Sequence, residues 1–185
     1  MSKKQKRTQQ RQASDHTTGA SSAKPIVAAV GVGVVILLVA VVVFSRTPLR
    51  GVPDGSETVA VGPPQHVEGD IHVEGEVPAG GPHDAVWQNC GFYDRPVRSE
   101  NAVHSLEHGA VWISYDSGLS EDEIKRLRGF SGAGDKVLIS PIPNQAAPII
   151  ATAWANQLEL DEADDPRLEQ FVNEFEGSVD APEPG

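Results

Sequence analysis

Cysteine occurs once in these 185 residues, and the only methionine is the first residue. A lone Cys90 excludes an internal disulfide framework and any multi-cysteine zinc ribbon or finger. A single methionine excludes a methionine-rich Cu(I) site. Aromatic residues make up only 5% of the chain, so Trp87, Trp112 and Trp154 are most economically read as core residues. Basic residues are scarce too: 15 Lys and Arg stand against 26 Asp and Glu, a net charge of −11. That balance excludes a nucleic-acid binder, which needs a basic surface to meet phosphates. The length allows one domain with appendages.

The charge is divided unevenly. Residues 1–25 carry Lys3, Lys4, Lys6, Arg7, Arg11 and Lys24 against Asp15 alone, and residues 26–44 (IVAAVGVGVVILLVAVVVF) carry no charge. At about 1.5 Å per helical residue that run covers about 30 Å, the thickness of a bilayer's hydrocarbon core. It has no polar face, as a buried core helix would, and no small-x-small cleavage site follows it. The expectation is a retained signal anchor crossing the lipid bilayer once. Cations before the span place the N-terminus in the cytoplasm and the C-terminal part outside. Residues 1–25 are then a basic cytoplasmic tail, oriented by charge and by anionic lipid.

Residues 45–65 are rich in Pro and Gly and read as a linker. A globular pattern runs over 66–177, enough for one modest core without disulfides. Residues 178–185 (SVDAPEPG) read as an acidic, frayed tail. Within the domain, Val67, Ile71 and Val73 alternate with polar neighbours, predicting a strand with an irregularity at Gly69. Residues 78–96 are a Pro/Gly-rich loop or short-strand region. The run VWISY over 111–115 predicts a strand, and VLIS over 137–140 a short buried one stopped by Pro141. Ser120 and Glu123 form a capping box for a helix ending near Gly129, with Ile124 and Leu127 on its apolar side. Residues 149–160 fit either strand or helix, with strand favoured at the start. Asp165 caps a last helix with Pro166 at its first position and Leu168, Phe171, Val172 and Phe175 on one face. Strands interleaved with helices give a single small α+β domain.

Five of six histidines lie in that domain, four of them with Cys90 between His72 and His108. If VHSLEHG over 103–109 is helical, His104 and His108 are i, i+4 neighbours close enough to chelate one ion. Imidazole suits Zn, Cu, Fe or Ni, and a Cys90 thiolate tilts the choice toward Zn or Cu. The expected ligands are His83, His104 and His108, with Cys90 as a fourth and Glu107 orienting a ring. The same string fits H-x-x-E-H, in which Glu107 would be the general base of a small metal-dependent hydrolase. Gly109 and a strand follow at once, where a peptidase would need a long helix. His66 and His72, in a polar stretch, read as surface residues. A third reading is an inert interaction module whose His and Cys only satisfy core hydrogen bonds, with the rings pointing apart.

The motifs Gly81-Pro82-His83, WQNCGFY over 87–93, Pro96-Val97, VHSLEHG over 103–109 and VWISY over 111–115 resemble the DUF3105 family. The likeness continues through Pro141–Pro143, Ala147-Pro148 and Thr152–Trp154 into the final helix, covering most of 66–176. The chain departs from the pattern at Ala79-Gly80-Gly81, where Thr-Ser-Gly is usual, and at His72, where an aromatic is commoner. The resemblance implies a bacterial protein with an N-terminal membrane anchor and one extracytoplasmic domain. It implies no activity.

Overall fold

The sequence of helix and strand signals is realised around one mixed sheet. The computed structural model describes residues 51–185 apart from Ala133. The basic tail, the apolar run 26–44 and the first residues of the linker lie outside the described residues. Among the described residues, no helix is long and apolar enough to cross a membrane. Those residues form a small α+β domain with eight strands and three helices.

The strands are β1 (Glu57–Thr58), β2 (Gln65–His66), β3 (Pro82–His83), β4 (Gly91–Phe92), β5 (Val111–Tyr115), β6 (Val137–Pro141), β7 (Ile149–Ala153) and β8 (Asn156–Leu160). The helices are α1 (Ser99–Glu107), α2 (Glu121–Arg128) and α3 (Pro166–Phe175). Six strands pair in the order β1-β8-β7-β5-β6-β4. The β4-β6 and β5-β6 pairs are parallel, and β1-β8, β7-β8 and β5-β7 are antiparallel. The strands β2 and β3 form a separate parallel pair.

Why β5, β6 and β7 read as unbroken apolar runs is explained by their burial on both faces. Val111, Ile113, Tyr115 and Ile139 pack with Leu127 of α2 and with Leu168, Phe171 and Val172 of α3. Trp112 and Leu138, one residue out of phase, pack with Ala102 and Leu106 of α1. Alternate side chains of a strand point to opposite faces, so α1 covers one side of the sheet and α2 and α3 the other.

The two predicted helix starts are present. Ser120 Oγ accepts from Glu123 N and the Glu123 carboxylate accepts from Ser120 N. Asp165 accepts from Arg167 N, with Pro166 at the first helical position. Residues 149–160 fold as a hairpin, with strand on both sides of Trp154-Ala155. Ala155 adopts φ 59, a left-handed conformation with no glycine to announce it. It is held from both ends, by Ala155 N donating to Ala79 O at 2.8 Å and Val59 N donating to Ala155 O at 2.9 Å.

The predicted strand over Val67–Val73 does not form. Gly69 turns the chain with φ +91, and Ile71 and Val73 are left 45% and 72% exposed. The Ile71 and His72 amides instead donate to Glu100 Oε1 at 2.7 and 3.1 Å. Burial of Glu100 raises its pKa, but these backbone donors outweigh it and hold the carboxyl below the usual range. A depressed carboxyl stabilises the fold above its unfolded pKa and loses that contribution as pH falls through the folded one. Glu100→Gln is therefore expected to lower stability at pH 7 by about 1.5–3 kcal/mol, the worth of bonds to a charged group. Urea midpoints of variant and wild type should converge as the pH falls through the depressed folded value and the wild-type carboxyl protonates. A gap that persists in acid would remove the charge from this account.

Candidate metal centre

Helix α1 carries VHSLEH, and its end decides where those side chains go. His108 caps it; Gly109 N donates to Leu106 O and Ala110 N to Ser105 O, with Gly109 at φ +82. This pair of bonds is the Schellman arrangement, whose left-handed position favours glycine. The stop leads straight into β5, so the last turn of α1 sits where this central strand of the sheet begins.

The Nδ1 atom of His104 lies 2.7 Å from Asp84 O, and Nδ1 of His83 lies 2.8 Å from Gly81 O. A carbonyl only accepts, so each Nδ1 carries a hydrogen and each Nε2 is the ring nitrogen left to meet the rest of the cluster. His83 Nε2 faces Glu107 Oε2 at 3.0 Å, and His104 Nε2 faces His108 Nε2 at 3.0 Å. His108 Nδ1 is in turn 2.9 Å from Glu183 O. Three rings are thus keyed through Nδ1 by backbone carbonyls, with their Nε2 atoms turned toward Glu107 or toward one another, the ring orientation metal-ligating histidines adopt.

A fourth histidine joins them through strand pairing. In the β2-β3 ladder His66 is the direct partner of His83. The His66 ring stacks on His104 and meets His83 edge-on, each at 5.1 Å between centroids. Ligand atoms of His66, His83, His104 and Glu107 all lie within 4.8 Å of one another. A second group, Glu107, His108 and Glu183, meets the same criterion. His83, His104 and Glu107 are buried, His108 is half-buried and His66 is exposed.

Burial lowers the pKa of His104, and the neighbouring His83 and His108 push the same way against its bond to Asp84 O. The ring is therefore neutral at neutral pH and offers its lone pair to a cation. The loop beyond Gly80 is fitted to this cluster from the other side. A Cβ on Gly80, at φ +147, would stand 3.0 Å from the Trp154 ring, which itself meets His83 edge-on at 6.0 Å.

Of the four ligands expected from sequence, His83 and His104 fall in the first group and His108 in the second. Cys90 is in neither. It is exposed and lines a mostly apolar cleft of about 390 Å³ together with Trp87, His108 and Lys136. Desolvation there pushes its thiol up, opposed by Lys136. Glu107 is 3% exposed and does not line that cleft. His66 and Glu183 were not among the expected ligands. Two-residue strands carry no periodic signal, so nothing in the sequence announced the register that sets His66 beside His83. Glu183 lies in a tail expected to fray. That tail is docked: Gly177 N donates to Gly109 O at 2.8 Å, Glu183 N to Glu107 O at 3.0 Å, and Lys136 Nζ to Gly185 O at 2.6 Å.

No curated protein and no solved structure matches the chain. A family model does, over residues 66–185, the stretch that contains every side chain of both groups. The chain belongs to the DUF3105 family, described as proteins of unknown function.

Proposed function

We propose that this domain binds a transition-metal ion, Zn or Cu, through His66, His83, His104 and Glu107, on the outer side of a membrane anchored by residues 26–44. The observation that carries the reading is the keying of His83 and His104 by the carbonyls of Gly81 and Asp84, which leaves both Nε2 atoms beside a buried carboxylate. Two ligand nitrogens about 2.0–2.1 Å from one Zn stand roughly 3–3.5 Å apart, so rings this close need only small adjustment to share an ion. An all-nitrogen-and-oxygen donor set suits Zn(II) or Cu(II) over Cu(I), which prefers sulfur.

The reading of the histidines as inert core residues needs rings that point apart, and these rings meet. The hydrolase reading needs open space at Glu107, and the cleft opens at His108 instead. The full chain, purified and reloaded with Zn or Cu, should hold metal after gel filtration and melt higher than the chelator-treated chain. His104→Ala should abolish both effects. A wild-type chain that retains no metal, and whose melting temperature ignores chelator, would sink the proposal.

A further inference from the structure

We propose that Glu107, His108 and Glu183 form a second cation seat, so that the domain holds a pair of divalent first-row metal ions bridged by the Glu107 carboxylate. The inference rests on the metal reading above and extends it. Glu107 is common to both groups of converging ligand atoms, and a carboxylate has two oxygens to share between two ions. Its Oε2 faces His83 Nε2 on the side of the first group.

The 3.0 Å approach of His104 Nε2 to His108 Nε2 is the second observation. Both rings spend their Nδ1 hydrogen on a carbonyl, Asp84 O for one and Glu183 O for the other. With both Nδ1 atoms committed, the two Nε2 atoms face each other across one short gap. In the proposed pair each of these nitrogens takes a cation, His104 on one ion and His108 on the other. Metal ions in such pairs stand about 3.5–4 Å apart.

The seat is assembled from chain segments far apart in sequence. The bond from Glu183 N to Glu107 O and the bond from His108 Nδ1 to Glu183 O fix the tail by its backbone. The Glu183 side chain is left free to act as a ligand, and its replacement leaves those backbone bonds in place. Glu183 is exposed and His108 half-buried, so this ion faces solvent beside the cleft of Trp87 and Lys136. Open coordination positions on that side suit exchange or substrate contact, whereas three of the four ligands of the first ion are buried.

Co(II) alone serves as the probe, titrated into the metal-free full chain. Wild type is expected to bind two ions per chain, with spin coupling between them visible by electron paramagnetic resonance. Glu183→Ala should bind one ion and give an uncoupled signal, with an unchanged far-ultraviolet spectrum. One ion per wild-type chain would leave the metal reading standing and overturn the second seat, since His104 and His108 would then grip a single ion. Two coupled ions in Glu183→Ala would overturn it as well. No ion in wild type would overturn both readings together.

Discussion

Glu107→Gln is expected to weaken metal binding about 100- to 1000-fold while leaving the fold intact. A structural zinc site built from four ligands is worth about 10–16 kcal/mol in apparent binding free energy, so one ligand contributes roughly 2.5–4 kcal/mol. Every 1.4 kcal/mol is about tenfold in affinity, which gives that range. The substitution is nearly isosteric. The amide can still bond His83 Nε2, which now lies 3.0 Å from Glu107 Oε2, so the buried ring is not orphaned. What disappears is the negative charge shared by both groups of ligand atoms. Competition with a chromophoric chelator measures the change, and melting in excess chelator checks that the metal-free fold is unaffected. The experiment also separates two roles for this residue. A general base acting on a metal-bound water could be replaced by Gln with activity lost and metal retained. A ligand could not, so undiminished affinity in Glu107→Gln would remove Glu107 from the coordination shell.

The parts of the fold legible in sequence are those governed by local chemistry. The capping box at Ser120 and the Asp165-Pro166 start each satisfy orphan amides within a few residues, and both are present. The strands β5 and β6 are β-branched runs buried on both faces, and such runs announce themselves. What the sequence hid was set by distant partners. The Trp154-Ala155 turn contains no glycine, because the strain at Ala155 is borne by bonds to Val59 and Ala79. The alternation of Val67, Ile71 and Val73 has no partner strand to bury it, and the Glu100 carboxylate takes the amides instead. The candidate site divides along the same line. His104 and Glu107 are neighbours on one helix, so their spacing was readable. His83 matched a motif without a mechanism, and its link to Glu107 spans a loop. His66 and Glu183 arrive through a two-residue ladder and a docked tail, neither of which leaves a periodic trace.

Trp112→Ala is expected to cost about 3–5 kcal/mol of stability, the usual range for emptying a large aromatic site in a core. Trp112 is fully buried at the centre of the sheet, and its Nε1 donates to Ser140 Oγ at 3.0 Å. Its removal therefore also leaves a buried hydroxyl without its donor, worth a further 1–3 kcal/mol or so. Small domains have only about 5–15 kcal/mol in total, so the variant should approach unfolding at physiological temperature. The milder Trp112→Phe keeps most of the volume and loses the bond alone. The position of the ring matters beyond stability, because Ala102 and Leu106 of α1 rest on it and α1 carries His104 and Glu107. Phe171 of α3 is equally buried on the opposite face of the sheet, in the apolar cluster that α1 does not join. Phe171→Leu and Trp112→Phe should thus both lower the urea midpoint, but only Trp112→Phe should weaken metal binding in the folded protein, because only it loosens the floor beneath α1. Equal losses of affinity in the two variants would mean that the ligands are positioned by the domain as a whole and not by the packing of α1 on Trp112.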